Sequence, residues 1–248
     1  MTRLLKDERL LMVFKKEIVV ENATRSLQEQ LANFMYKVYG LMGLAFTITA
    51  ATAYYISQNP ALYKPILTRS GIFFLVILVQ FLIVIAITLL LPRISVAMAT
   101  ILFFLYAISM GITCSVIFLI YQMSSIYIAF LVSAGMFSAM ALYGYFTRTD
   151  LSSLGNIFLM ALIGLFIGLL VNLFLKSSLF DMILSAVGVI IFTALTAYDT
   201  QRIKYMGRLM LAEGQAASKV AIVGALTLYL DFINLFLFIL NLTGRRRD

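Results

Sequence analysis

The sequence predicts an all-α, polytopic membrane protein, and three observations predict it. Hydrophobic residues make up 62% of the 248 and charged residues only 12%, and the mean hydropathy is +1.01. A soluble domain carries roughly 25% charged residues, so the deficit places the chain in the membrane class. The apolar residues fall into seven runs, each near the roughly 20 residues that a helix needs to cross the hydrocarbon core. None of the runs alternates apolar with polar residues in segments of about ten, as strands of a membrane barrel do. Helices satisfy their own backbone groups in lipid, so the spans are read as helices.

Residues 1–30 carry charges of both signs, from Arg3 to Arg25, and are read as a cytoplasmic N-terminal tail. A short amphipathic helix on the membrane surface is the second reading. No signal-peptide pattern precedes the first span, which is therefore expected to be retained. The transmembrane domain is placed at 31–243, with runs at 34–56, 71–91, 96–118, 126–146, 154–175, 182–198 and 220–242. Ser57-Gln-Asn-Pro60 makes a turn before Pro65, Pro92-Arg93 closes the second run, and Thr147-Arg-Thr-Asp150 breaks the chain after the fourth. The gap at 122–125 is so short that runs three and four should form an antiparallel hairpin. The sixth run is short if it stops before Asp199, or it continues toward Tyr205 with Asp199 inside it. Residues 244–248 form a short basic C-terminal tail. Gly164-Leu-Phe-Ile-Gly168 and Gly135-Met-Phe-Ser-Ala139 have the small-residue spacing that lets helices approach closely in lipid.

Lys and Arg set the orientation. Thirteen fall on the N-terminal side of the predicted topology and six on the other. The N-terminus is thus expected in the cytoplasm and the C-terminus, after seven crossings, outside. The triplet Arg245, Arg246 and Arg247 opposes that placement, and a re-entrant seventh segment would return it to the cytoplasm.

The net charge of +8 admits a nucleic-acid partner, but the basic residues sit between apolar runs, where topology puts them, and no nucleic acid is expected. There is no His and a single Cys, Cys114, inside an apolar run. That argues against a transition-metal site and forbids a disulfide within the chain. No catalytic residue is assigned and no cofactor is expected to be tightly bound.

Two carboxylates stand out. Asp231 lies eleven residues into its run, about 16 Å along the helix and near the midplane of a roughly 30 Å core. An ionisable group at that depth is expensive and points to function. Asn234 follows on the same face. Asp199 lies toward the cytoplasmic edge, with Arg202 at i+3 as an interfacial partner. Simple spacing sets the two carboxylates at different depths and does not show that they meet.

Asp199-Thr-Gln201, Leu228-Tyr-Leu-Asp-Phe-Ile-Asn-Leu-Phe236 and the loop Gly144-Tyr-Phe-Thr-Arg-Thr-Asp-Leu-Ser-Ser-Leu-Gly155 resemble the Bax inhibitor-one family, also called the transmembrane BAX inhibitor motif family. The resemblance runs from about Tyr36 to Leu242. It implies seven helices, the last central and wrapped by the other six. It also implies a bacterial pH-sensitive calcium leak, in which Asp199 and Asp231 form an ion-binding pair that gates with pH. Close carboxylates in a low dielectric share a proton and titrate as a coupled pair, and their oxygens suit Ca²⁺. Ca²⁺ and H⁺ are then transported or regulatory ions, and the lipid bilayer is the surrounding partner. Some relatives carry an acidic residue in the second span, where this chain has Gln80. A basic latch of that family would fall on Arg93. The resemblance implies a second role, binding and restraining the membrane protease FtsH through residues 1–30. Intramembrane aspartyl proteases carry Gly-Leu-Gly-Asp, which is absent here, so no enzyme is expected.

Overall fold

The computed structural model describes the backbone of residues 2–68, 70–212 and 217–247, and side chains from residue 21 onward except residues 22, 23 and 70. The charged side chains predicted for the start of the tail, Arg69 and Asp248 lie outside the described residues. The elements are α1 (Thr2–Gln58), α2 (Pro60–Thr68), α3 (Ser70–Leu90), α4 (Val96–Ile120), α5 (Met123–Phe146), a 3-10 turn (Ser152–Leu154), α6 (Gly155–Leu175), α7 (Ser178–Ala212) and α8 (Ser218–Thr243). Seven of these are long and apolar enough to cross a membrane, and the chain is a polytopic membrane protein.

Three boundaries differ from the sequence reading. The segment after Pro60 forms the short helix α2, with Pro65 in its second turn, where a bare turn was expected. The first span enters from a continuous helix, since α1 runs from Thr2 without a break. The sixth span extends through Asp199 to Ala212, far beyond residue 198. The polar residues after 198 lie on one helix and not in a loop.

The last helix is central. Its buried residues run from Ala221 to Leu240 and surround it on all sides. Four helices do this, α1, α4, α5 and α7, and not all six; α3 rests on α4 and α6 on α7. The outer helices expose Phe74, Leu89, Met160 and Phe174, as lipid-facing helices do. The turn at Tyr121 and Gln122 joins α4 to α5 as expected, but the two pack little along their length: α4 lies mainly on α1 and α5 mainly on α7.

The packing is close where residues are small. A Cβ on Gly111 of α4 would meet Thr49 O at 2.8 Å and Thr52 Cβ at 2.6 Å. Gln80 donates to Ser109 O at 2.9 Å and to Thr113 Oγ1 at 2.7 Å, tying α3 to α4. At one end of the bundle, Gln122 N–H donates to Arg245 O and Arg247 N–H to Ile120 O, with a bridge between Tyr121 and Arg246. The predicted basic tail is thus stitched to the α4–α5 turn. At the other end, Lys37 Nζ donates to Ser218 Oγ at 3.0 Å and Lys219 Nζ to Leu91 O at 3.1 Å. The helix α8 begins at that second end and finishes at the first, so it traverses the whole bundle and does not turn back.

Candidate functional site

The site is built by α7 and α8, which run antiparallel across the bundle centre. Small residues set their separation. A Cβ on Gly188 would meet the Phe238 ring at 2.6 Å, and one on Gly224 would meet Ile203 Cγ2 at 2.9 Å. Asn241 Nδ2 donates to Asp181 Oδ2 at 2.7 Å and to Ser185 Oγ at 2.8 Å, fixing the register at one end.

That register brings Asp199 and Asp231 together. Ala212, the last residue of α7, lies thirteen residues after Asp199, and Ser218, the first of α8, lies thirteen residues before Asp231. Both carboxylates therefore stand about 20 Å from the same end of the bundle. Their carboxyl groups face each other within hydrogen-bonding reach, and they are only 7% and 5% exposed. Asp231 Oδ2 is buried with no hydrogen-bond partner among the described residues. A carboxylate only accepts hydrogen bonds, so a hydrogen bond between the two carboxyls would require a proton on one of them. The sequence reading put the residues at unequal depth because it counted Asp199 from the far start of the sixth run and so set it at the cytoplasmic edge, whereas α7 runs on to Ala212.

The other predicted participants are placed as follows. Arg202 lies one turn along from Asp199, exposed at its guanidinium end yet within coulombic reach of that carboxyl. Arg93 lies exposed on the α3–α4 turn, where its side chain makes no hydrogen bond or ion pair among the described residues. The cation that donates to the carbonyls of that turn is Lys219 of α8, to Leu91 O and Pro92 O. The Asn234 amide is turned back onto its own helix, donating to Leu230 O at 2.8 Å. Gln80 is committed to α4.

No group of three or more His, Cys, Asp or Glu able to hold a metal is found among the described residues. Ca²⁺ takes six to eight oxygens, and two carboxylates are too few for a resident cage.

Two cavities flank these helices. One, of about 610 Å³, lies between α1 and α5 and is lined by apolar and aromatic side chains including Met35, Phe46, Phe137 and Phe232. The other, of about 620 Å³, is polar and basic, and opens beside the last turns of α7. Sequence reasoning missed it, because it treated those basic residues as loop charges that report only orientation.

The model of a family described as inhibitor of apoptosis-promoting Bax1 matches residues 31–248. An uncharacterized protein of Borreliella burgdorferi is 42% identical over 234 residues, covering 94% of this chain and 97% of its own length. Inner membrane protein YbhL of Escherichia coli K12 is 43% identical over 218 residues, covering 88% and 93%. A protein of Rickettsia prowazekii, RP147, is 37% identical over 235 residues, covering 95% and 99%.

Proposed function

The chain belongs to the Bax inhibitor-one family, and from that premise we propose that it is a pH-sensitive cation leak, with calcium the first ion to test, gated by the Asp199–Asp231 pair. The single observation that carries this reading is the facing of the two buried carboxyls across the α7–α8 seam.

The physical argument is short. With one proton shared, a carboxyl–carboxylate hydrogen bond stitches α7 to the central helix. With that proton gone, the bond is lost and two like charges confront each other. Two unit charges 4 Å apart at an effective dielectric of about 20 repel by about 4 kcal/mol. That magnitude shifts a two-conformation equilibrium by about three decades. The deprotonated pair also offers oxygens to a passing cation. Water and backbone carbonyls would complete its shell.

Proteoliposomes loaded with a calcium dye test this reading across a pH series. Flux that rises with pH, and that Asp199→Asn and Asp231→Asn each reshape, supports it. Flux no greater than in empty liposomes at every pH, or a pH profile unmoved by both substitutions, rejects it. By the example of YbhL and the excess of Lys and Arg on the N-terminal side, the protein resides in the inner membrane with its N-terminus in the cytoplasm.

A partner role rests on a separate observation. The backbone of α1 is helical from Thr2, well ahead of the apolar run that begins at Phe34. The helix ahead of that run extends about 48 Å, a reach suited to contacting the protease FtsH beside it. Co-purification with FtsH that survives deletion of residues 2–30 would remove this reading.

A further inference from the structure

The end of α7 nearest Ala212 carries Gln201, Lys204 and Arg208 on one face, spaced as neighbouring turns of a helix. The segment between α5 and α6 crosses that face. Gln201 holds it there: Leu151 N–H donates to Gln201 Oε1, and Gln201 Nε2 donates to Thr149 O, both at 2.8 Å. The held segment brings Arg148 opposite Arg202, Lys204 and Arg208 around the 620 Å³ cavity.

The charge in this cavity is unbalanced. Four cations face one described carboxylate, Asp150, which itself accepts the Ser152 N–H at 2.9 Å. Arg202 answers in part to Asp199. Lys204 is not free to swing away: its Nζ donates to Tyr145 O at 2.7 Å and stands 4.4 Å from the centre of that ring. It is also within coulombic reach of Arg208, one turn on. Like charges at this helical spacing destabilise a helix. The one ion pair among the described residues, Arg25–Glu29, lies elsewhere.

We propose that this cavity is a binding site for a phosphate-bearing anion. Guanidinium forks match phosphate oxygens two at a time, and the lining supplies Arg148 from the α5–α6 segment and Arg208 from α7. The volume lies within the range of small-ligand pockets and exceeds one bare phosphate. Two sources share this chemistry. One is the headgroup of an anionic phospholipid in the adjoining leaflet, for which basic clusters at a membrane face are suited, with Tyr198 and the exposed Tyr205 in the wall as interfacial rings. The other is a soluble phosphoryl compound.

The test reads binding and so stands apart from any ion flux. Full-length protein in detergent is titrated with phosphatidylglycerol or phosphatidylcholine and read by native mass spectrometry. In parallel it is titrated with inorganic phosphate against chloride at equal ionic strength and read by its melting temperature. Saturable preference for phosphatidylglycerol assigns the lipid headgroup, and stabilisation by phosphate assigns a soluble ligand. In either case Arg148→Gln with Arg208→Gln should weaken binding about tenfold, leaving Arg202 and both central aspartates in place. Arg148→Lys with Arg208→Lys should recover part of it, and serves alone if the glutamine pair fails to fold. No response in either arm overturns the proposal, as does undiminished binding in both double variants.

Discussion

Thr49 Oγ1 and Tyr229 OH lie 2.6 Å apart at the centre of the bundle, joining α1 to α8. The Thr49 hydroxyl donates its proton to Ala107 O at 2.9 Å, so the Tyr229 phenol is the donor between the two. The Tyr229 ring is fully buried, stacked on Phe46 at 5.0 Å and edge-on to Phe103 and Tyr106 at 5.9 Å. Tyr229→Phe removes the bond and keeps the ring, and should cost about 1 kcal/mol. Tyr229→Ala empties the ring's space and should cost about 3–5 kcal/mol. Thermal melts in detergent should rank the two in that order; equal losses would place the energy in the hydroxyl.

Glycines that read alike in the sequence should respond differently to a methyl group. A Cβ on Gly144 would collide with the Ala197 backbone, at 2.8 Å from its Cα, whereas one on Gly164 meets nothing within 4 Å. Gly144→Ala must push α5 off α7 and should destabilise by about 1–3 kcal/mol. Gly164→Ala should be neutral or slightly stabilising, because alanine is the better helix former by about 1 kcal/mol. A melt in which Gly164→Ala is the worse of the pair would contradict the packing described.

Gln201 is the clamp of the segment between α5 and α6. Gln201→Ala removes both 2.8 Å bonds and should raise amide exchange across residues 149–152 by about tenfold, the effect of losing roughly 1.4 kcal/mol of local stability. Exchange elsewhere in α7 should stay within error. Hydrogen exchange read by mass spectrometry decides this.

Asp150 gives that segment a pH response with a definite sign. The Ser152 N–H, and after it the Ser152 hydroxyl, hold the Asp150 carboxyl below its ordinary value of 3.8. A group whose folded-state value is depressed stabilises fully above its unfolded value and loses that contribution as pH falls through the folded one. The Ser152 amide resonance should therefore hold steady from neutral pH down to about 4 and titrate below it. A midpoint at or above 3.8, or a titration that persists in Asp150→Asn, would contradict the assignment.

Much of the fold is written in the spacing of apolar runs. Seven runs near twenty residues, broken at Pro92 and Thr147, became the seven long helices. Asp231 was legible as well, because a carboxylate eleven residues into an apolar run has nowhere polar to go. Its meeting with Asp199 was hidden by the residues after 198. Gln201, Arg202, Lys204 and Arg208 look like a loop when hydropathy alone decides, yet they continue α7 on a face that leaves the membrane. Read to Ala212, the two helices place their aspartates at equal distance from the connection between them. The glycine motifs were half informative: Gly135 and Gly164 face open space, but a Cβ on Gly168 would meet Leu184 Cδ2 at 2.6 Å, and other tight contacts, at Gly111, Gly144 and Gly188, lie outside the motifs. Spacing of small residues does not say which side of a helix will find a neighbour.

The bridge between Tyr121 and Arg246 has a mechanical consequence. A rod pinned at one tip cannot piston along its axis without tearing that pin. The bridge consists of the bonds from Gln122 N–H to Arg245 O and from Arg247 N–H to Ile120 O, and one further bond, from Arg245 N–H to Ser125 Oγ, holds the same tip. Any excursion of α8 that spares this pin is a swing about its C-terminal end, and it must release the Lys37–Ser218 and Lys219–Leu91 bonds at the other tip. The chain's last few residues set the fulcrum, and the opposite mouth of the bundle is where such a lever opens widest.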